Sequence, residues 1–347
     1  MKKEHFINTV ALDVTYQCPF RCIHCFNSSG EHKNETPELS NEEWDLVVDE
    51  LVDINVAQFS IGGGEALLRK ELLLNITEKI YNSGKNSDVA IVSNGYYMTE
   101  EFAEELGKRN VLNVQISLDG FKNSYQRIRK KENAYEKAIA AIKNLNKAGI
   151  NVAVSFAPTT FNIPDLSELI DFLRGLEVRF FRCQPLMLLG RAEKNLKDYM
   201  PTYEDYRKIS EILDKKRKEY PEMYIEWGDP IDHLVRGRLK TAQASYITIG
   251  AYGDIYASPY LPITFGNIRK HTINEYLDAG LLDIWKNPFL QKVSEQVVDT
   301  TSMSLSGIGL PKIFTENSIE LDVLDVNYES NTSKLIDDYF DKGAVYE

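Results

Sequence analysis

Three of the chain's four cysteines, Cys18, Cys22 and Cys25, fall within eight residues, and the fourth, Cys183, lies far downstream. A secreted disulfide framework would spread paired cysteines through a small chain. Clustered thiols in a chain of 347 residues with a formal net charge of −12 point instead to a metal. Thiolates are the usual ligands of iron–sulfur clusters, and a complete cubane takes four protein ligands. Three leave one iron open to a small molecule, and an open position marks a reactive centre rather than a structural one. The competing reading is a structural zinc ion held by Cys18, Cys22, Cys25 and His24 or another histidine. Zinc motifs usually bring a second paired knuckle, which this sequence lacks. His24 is also adjacent to Cys25, an awkward placement for ligating the same ion.

The elements that must position this loop show in the hydrophobic pattern. Short β-rich runs begin near Thr9, Val56, Asp88, Val114, Asn151 and Val178, with amphipathic helical stretches between them. Ser40-Asn41-Glu42-Glu43 has the form of a capping box, opening a helix with Trp44, Val47, Val48 and Leu51 on one face. Residues 134–149 are rich in helix formers and stop at a glycine, and residues 165–176 repeat the design. Six strand–helix units in succession predict a parallel sheet with right-handed crossovers. Six is fewer than the eight of a closed barrel, so the expected α/β fold is an open, partial (βα)6 TIM-like barrel. Chemistry in such folds gathers at the C-terminal ends of strands. The cysteines, the glycines at 62–64, Asn94 and Asp119 all directly follow predicted strands. After about residue 235 the rhythm changes. Residues 244–261 read as a hairpin with turn chemistry at Ala251-Tyr252-Gly253-Asp254, followed by a helical stretch over 272–285.

Cys18-Pro-Phe-Arg-Cys22-Ile-His24-Cys25, placed after the first strand, resembles the C-x3-C-x2-C signature of the radical S-adenosylmethionine (SAM) superfamily. His24 stands at the penultimate, aromatic-type position of that signature. The resemblance implies one [4Fe-4S] cluster on Cys18, Cys22 and Cys25, whose open iron chelates the amino and carboxylate groups of SAM. It also implies an enzyme that cleaves SAM reductively to a 5′-deoxyadenosyl radical, cofactor and cluster carrying the hard chemistry. Gly62-Gly63-Gly64-Glu65 resembles the family's GGE motif, which places Gly63, Gly64 and Glu65 at the SAM amino group; glycine permits close approach to backbone. Ala66 replaces the proline that often follows. Ser93-Asn94-Gly95 resembles a segment near the ribose, and Ser117-Leu118-Asp119-Gly120 resembles the family's SLDG segment. Cofactor contacts are therefore expected from His24, Ser93, Asn94, Ser117 and Asp119. Arg129 matches an arginine that in many relatives pairs with the SAM carboxylate, a task suited to a guanidinium fork. Arg127 is the rival candidate. The resemblance runs from residue 9 to Gly190-Arg191-Ala192.

Residues 244–290 resemble the C-terminal extension of the SPASM and twitch subgroup, which matures ribosomal peptides, proteins and some cofactors. Gly253-Asp254-Ile255-Tyr256, Gly266-Asn267-Ile268 and Trp285 carry that resemblance. Ala257-Ser258 stands where a cysteine ligand is expected, and no cysteine follows Cys183, so no auxiliary cluster is expected. The division implied is a partial barrel over 1–235, a smaller α+β SPASM-like unit over 236–298 and an acidic tail over 299–347. The implied function is hydrogen abstraction from a ribosomally made peptide, giving a crosslink or an epimerised residue. A cofactor, sugar or tetrapyrrole precursor is the alternative substrate, and a non-catalytic metal- or cluster-binding scaffold the alternative class. Cys183, at the predicted end of the sixth strand, is read as a hydrogen-atom donor completing an epimerisation, against the ordinary role of a small buried hydrophobe. The resemblance further implies an external electron donor such as flavodoxin or ferredoxin. No leader-binding domain is evident, and a separate leader-binding protein could supply that function.

A net charge of −12 speaks against nucleic acid as a partner, because phosphate binding needs clustered Lys and Arg. No apolar run of ~18 residues occurs and the first residues lack a secretory pattern, so a cytoplasmic location away from membranes is expected. Residues 301–347 carry nine Asp and Glu against three Lys, half of the net charge. This segment reads as solvated or as an attractor of a basic substrate peptide.

Overall fold

Along Thr9–Asp13 (β1), side chains alternate between two destinations. Val10 and Leu12 are fully buried in the core, while Thr9, Ala11 and Asp13 line an internal cavity. The computed structural model describes residues 6–31, 34–239, 243–302, 309–312 and 317–341. The strands Gln58–Gly62 (β2), Asp88–Ser93 (β3), Asn113–Ser117 (β4), Asn151–Phe156 (β5) and Phe180–Cys183 (β6) follow in parallel register from β1. Each begins within two residues of its expected start.

The crossovers are Asn41–Ile54 (α1), Lys70–Asn82 (α2), Glu100–Gly107 (α3), Lys122–Arg129 (α4), Ala134–Lys147 (α5) and Leu166–Gly175 (α6). At the start of α1 the Glu43 amide donates to Ser40 Oγ at 3.1 Å and the Ser40 amide to Glu43 Oε2 at 2.8 Å, closing the capping box. Its buried face is Trp44, Val47, Val48 and Leu51, each contributing about 1.5–3 kcal/mol by leaving water.

Two strands extend this frame beyond the expected six. Arg191–Asn195 (α7) and Tyr203–Glu219 (α8) lead to Tyr224–Trp227 (β7), which lies parallel beside β6. After Asp232–Gly237 (α9), Tyr246–Ile249 (β8) pairs in parallel with β1 on the side away from β2. Asp254–Tyr256 (β9) then turns back antiparallel to β8, the expected hairpin, and Ile263–Asn267 (β10) pairs antiparallel with β9. Ile319–Glu320 (β11) closes one sheet of order β11-β10-β9-β8-β1-β2-β3-β4-β5-β6-β7. β7 and β11 are its two edges, so the barrel stays open.

Ile273–Asp278 (α10) and Pro288–Gln296 (α11) pack in the C-terminal region, joined by Tyr328–Ile336 (α12). The acidic segment is not simply solvated: Leu321 is buried, and the Tyr276 hydroxyl lies 3.2 Å from Asp322 Oδ2. Asn287, the N-cap of α11, donates to the Tyr328 hydroxyl and to Thr332 Oγ1, both at 2.9 Å. No helix among the described residues is long and apolar enough to cross a membrane.

Candidate active site

The strands enclose a cavity of about 1110 Å³, walled where they point inward by small and polar residues such as Ala11, Ser60, Ala90, Ser117, Ala153 and Ser155. Cys18, Cys22 and Cys25, on the loop after β1, all line it, and none is disulfide-bonded. Three constraints fix this loop. The Ile23 amide donates to the Ile128 carbonyl in the last turn of α4 at 2.9 Å. Gly63 and Gly64 lie directly against residues 15–17: a Cβ on Gly63 would stand 2.3 Å from the Thr15 carbonyl oxygen, and one on Gly64 2.4 Å from that of Gln17. Gly63 also holds a φ of +119°, open to glycine. These glycines admit the cysteine loop's own backbone, a tighter demand than the approach of a cofactor.

The third constraint comes from Gly190-Arg191. The Arg191 amide donates to the Cys25 carbonyl at 2.9 Å, its Nε to the Cys22 carbonyl at 2.8 Å and its Nη1 to the Ser29 carbonyl at 3.1 Å. Any side chain at Gly190 would collide with the Phe26 carbonyl. Arg191 therefore organises the cysteine loop, a role that neither its charge nor its distance in sequence announces.

Burial pushes the Cys18 thiol up to about 12 and the Cys22 thiol up to about 11, the Arg129 charge pulling Cys22 back. Unlinked thiols whose ionisation is disfavoured suit ligands that lose their proton only against a metal's positive charge. Among the described residues, no three His, Cys, Asp or Glu side chains form a cage for a single ion. A cubane needs none, since its ligands sit on separate irons. The residues present thus fit an iron–sulfur cluster.

Beside the thiols lies a charged network. Asp119, on the loop after β4, is 1% exposed; its Oδ2 accepts from Arg129 Nε at 2.7 Å and pairs with Nη2 at 2.6 Å. Its Oδ1 accepts from the Ala157 amide at 3.0 Å, and His24 Nε2 lies 3.3 Å from Oδ2. Arg129 Nη1 is 3.8 Å from Cys22 Sγ, which ties the network to the cysteine loop. Burial and the Arg129 charge lower the pKa of His24, and among the described residues its buried Nδ1 has no hydrogen-bond partner. Arg127 does not enter the cavity; its guanidinium stacks over Phe161 at 3.9 Å and Tyr199 at 4.8 Å.

Ser93, Asn94 and Ser117 line the cavity, whereas Glu65 stands behind its wall. Glu65 accepts from the Ser93 hydroxyl at 2.7 Å, the Asn94 amide at 2.9 Å and the Leu67 amide at 3.0 Å. Burial pushes its pKa up and these donors draw it down. It joins the loops after β2 and β3.

The expectation for Cys183 is corrected. Its side chain is fully buried in the core and does not line the cavity; the adjacent Arg182 and Gln184 do. Along β6 Phe180 and Arg182 are partly exposed while Phe181 and Cys183 are buried, and Cys183 falls on the buried side of that alternation.

Residues 12–174 match the radical SAM superfamily. The matched span, a little under half of the chain, contains the three cavity-lining cysteines. The chain is similar to the mycofactocin maturase MftC of Mycolicibacterium smegmatis, 28% identical over 290 residues, 79% of this chain and 69% of MftC. It is also similar to the sporulation killing factor maturation protein SkfB of Bacillus subtilis, 28% identical over 223 residues, 64% of this chain and 50% of SkfB. Its fold matches that of Streptococcus suis SuiB bound to S-adenosylmethionine, with a TM-score of 0.65 at 16% identity over 86% of this chain and 75% of SuiB. A second SuiB structure holds the precursor peptide SuiA.

Proposed function

We propose that this enzyme holds one [4Fe-4S] cluster on Cys18, Cys22 and Cys25, with SAM beside it, and abstracts hydrogen from a ribosomally made peptide. The observation that carries the reading is the convergence of three free thiols with the Arg129–Asp119–His24 network on one large cavity. When bound, cluster and SAM supply an organic radical able to remove a hydrogen atom from carbon. Arg129, oriented by Asp119, presents its guanidinium for the SAM carboxylate. His24 offers its unpartnered Nδ1, and Asn94, Ser93 and Ser117 offer polar groups along the same wall, while Gly63 and Gly64 hold the cysteine loop in place. Glu65 fixes the wall from behind.

The peptide substrate is supported by the maturase names of the sequence relatives and by the peptide bound to SuiB. The buried position of Cys183 favours a crosslink over an inverted centre. A single cluster is supported at Ala257-Ser258, where Ser258 is fully buried and its hydroxyl lies 2.7 Å from His233 Nε2. An external electron donor and a separate leader-binding protein complete the proposal.

The test is reductive SAM cleavage by anaerobically reconstituted protein, beside a Cys18/Cys22/Cys25→Ala triple variant. 5′-Deoxyadenosine from the wild type alone, with about four irons per chain, is the expected result. Tightly bound zinc and no SAM affinity would overturn the reading.

A further inference from the structure

Asp13 ends β1 five positions before Cys18, in register with Gly62 of β2, and its side chain lines the cavity. Gly62 presents no side chain there; a Cβ on it would stand 3.9 Å from Asp13 Oδ1. Among the described residues nothing gives the Asp13 carboxyl a hydrogen bond or an ion pair. The arginines of the cavity wall have acidic partners of their own. Arg129 pairs with Asp119, Arg191 with Glu31, Arg236 with Asp232, and Arg182 with Glu226 at 3.7 Å. Asp13 is thus a carboxyl in the chamber without a protein cation to balance it.

Burial pushes its pKa up to about 7. Its charge is felt in turn by Tyr16, Tyr246 and Tyr256, whose hydroxyls burial pushes up and Asp13 pushes further. Buried carboxylates kept for stability come with partners, since an unbalanced one costs free energy. A binding group has reason to wait without one.

We propose that Asp13 receives a cationic group of the substrate, an ammonium or guanidinium such as a Lys or Arg side chain of the peptide, in the part of the chamber next to the cysteine loop. The inference rests on the reading of this cavity as the substrate chamber of a radical SAM enzyme. An acidic protein also favours the approach of a basic peptide.

The experiment uses two probes, Nα-acetyl-lysine methylamide and Nα-acetyl-norleucine methylamide, which differ chiefly in the ammonium group. Each is equilibrated by dialysis with reconstituted, SAM-loaded wild type and with Asp13→Asn. A charge-assisted contact should make the lysine probe bind at least ~10-fold more tightly than the norleucine probe to wild type. In Asp13→Asn the two probes should bind within about 2-fold of each other, with no fall in melting temperature, because an isosteric neutral group relieves an unbalanced charge. No preference in the wild type, or a preference that survives in Asp13→Asn, would overturn the inference. So would a melting temperature lowered by more than about 5 °C, the mark of a carboxylate held by the protein itself. Release of 5′-deoxyadenosine by the wild type in the same preparation reports separately on the radical SAM reading.

Discussion

Substituting Asp119 by alanine would leave the Arg129 guanidinium, with a side chain 10% exposed, facing a cavity wall without its carboxylate. Removing one partner of a buried pair costs about 3–5 kcal/mol. An unfolding entropy of ~2.1 cal/mol/K per residue gives roughly 0.7 kcal/mol/K for a chain of this length, so Tm should fall by roughly 4–7 °C. Taking the charge from both sides, Asp119→Ala with Arg129→Met, should restore most of that loss, because the cost lies in the stranded cation. The assay is thermal unfolding of the two single variants, the double variant and the wild type under argon. Burial pushes the Asp119 carboxyl up, but Arg129 and then His24 outweigh it and hold the group well below the usual carboxylate range. A depressed carboxyl contributes its stability above the unfolded value of about 3.9 and loses it as pH falls toward the folded value. The gap between wild type and Asp119→Ala should therefore stay flat from about pH 5 to 8 and close only in strong acid. Additive losses in the double variant, or a fall below about 2 °C in Asp119→Ala, would refute the reasoning.

Three further outcomes follow from the same packing. Gly63→Ala must displace the Thr15 carbonyl and adopt a φ that alanine resists, so it should cost about 1–3 kcal/mol and lower the iron bound per chain after reconstitution. Cys183→Ala should cost roughly 1–2 kcal/mol in urea unfolding while leaving iron content and 5′-deoxyadenosine formation unchanged; loss of either would return the thiol to the chemistry. Burial lowers His233 to about 4, so below about pH 6.5 the unfolded chain takes up a proton that the folded chain refuses until about pH 4. Relative to wild type, His233→Gln should gain about 2–3 kcal/mol between pH 7 and 4.5, read from urea midpoints; a constant difference would sink this account.

The barrel strands were legible because each carries several apolar or β-branched residues bounded by turn signals, and the hairpin near 244–261 because Gly253-Asp254 marks its turn. Tyr224–Trp227 escaped because four residues with a glutamate among them carry little pattern. The partnership of β8 with β1 escaped because periodicity describes a strand and not its distant neighbour. At the site, the cysteines, Asn94 and Asp119 follow strand ends, and these residues share one cavity with Ser117. Cys183 was misplaced because Phe180 and Phe181 are apolar on both faces and hide the strand's phase. Arg182 held the missing signal: a charged residue turns toward the polar chamber, which puts its neighbour on the far side. The glycines at 63 and 64 line the cavity, and only the folded chain shows that the Thr15 and Gln17 carbonyls also press against them.

β1 is flanked by strands from opposite ends of the chain, β2 and β8. As the polypeptide leaves the ribosome, β2 follows β1 almost at once, but the Ser245 carbonyl that accepts from the Thr9 amide is made much later. Arg191, which clamps the cysteine loop, is also a late arrival. Until both have been made, β1 is an unpaired edge on that side and the loop bearing the three thiols lacks its clamp. Such long-range pairing closes slowly. The loop bearing the three cysteines is thus translated well before the strand and the arginine that hold it, so it takes its final shape only after Arg191 and Ser245 have been made.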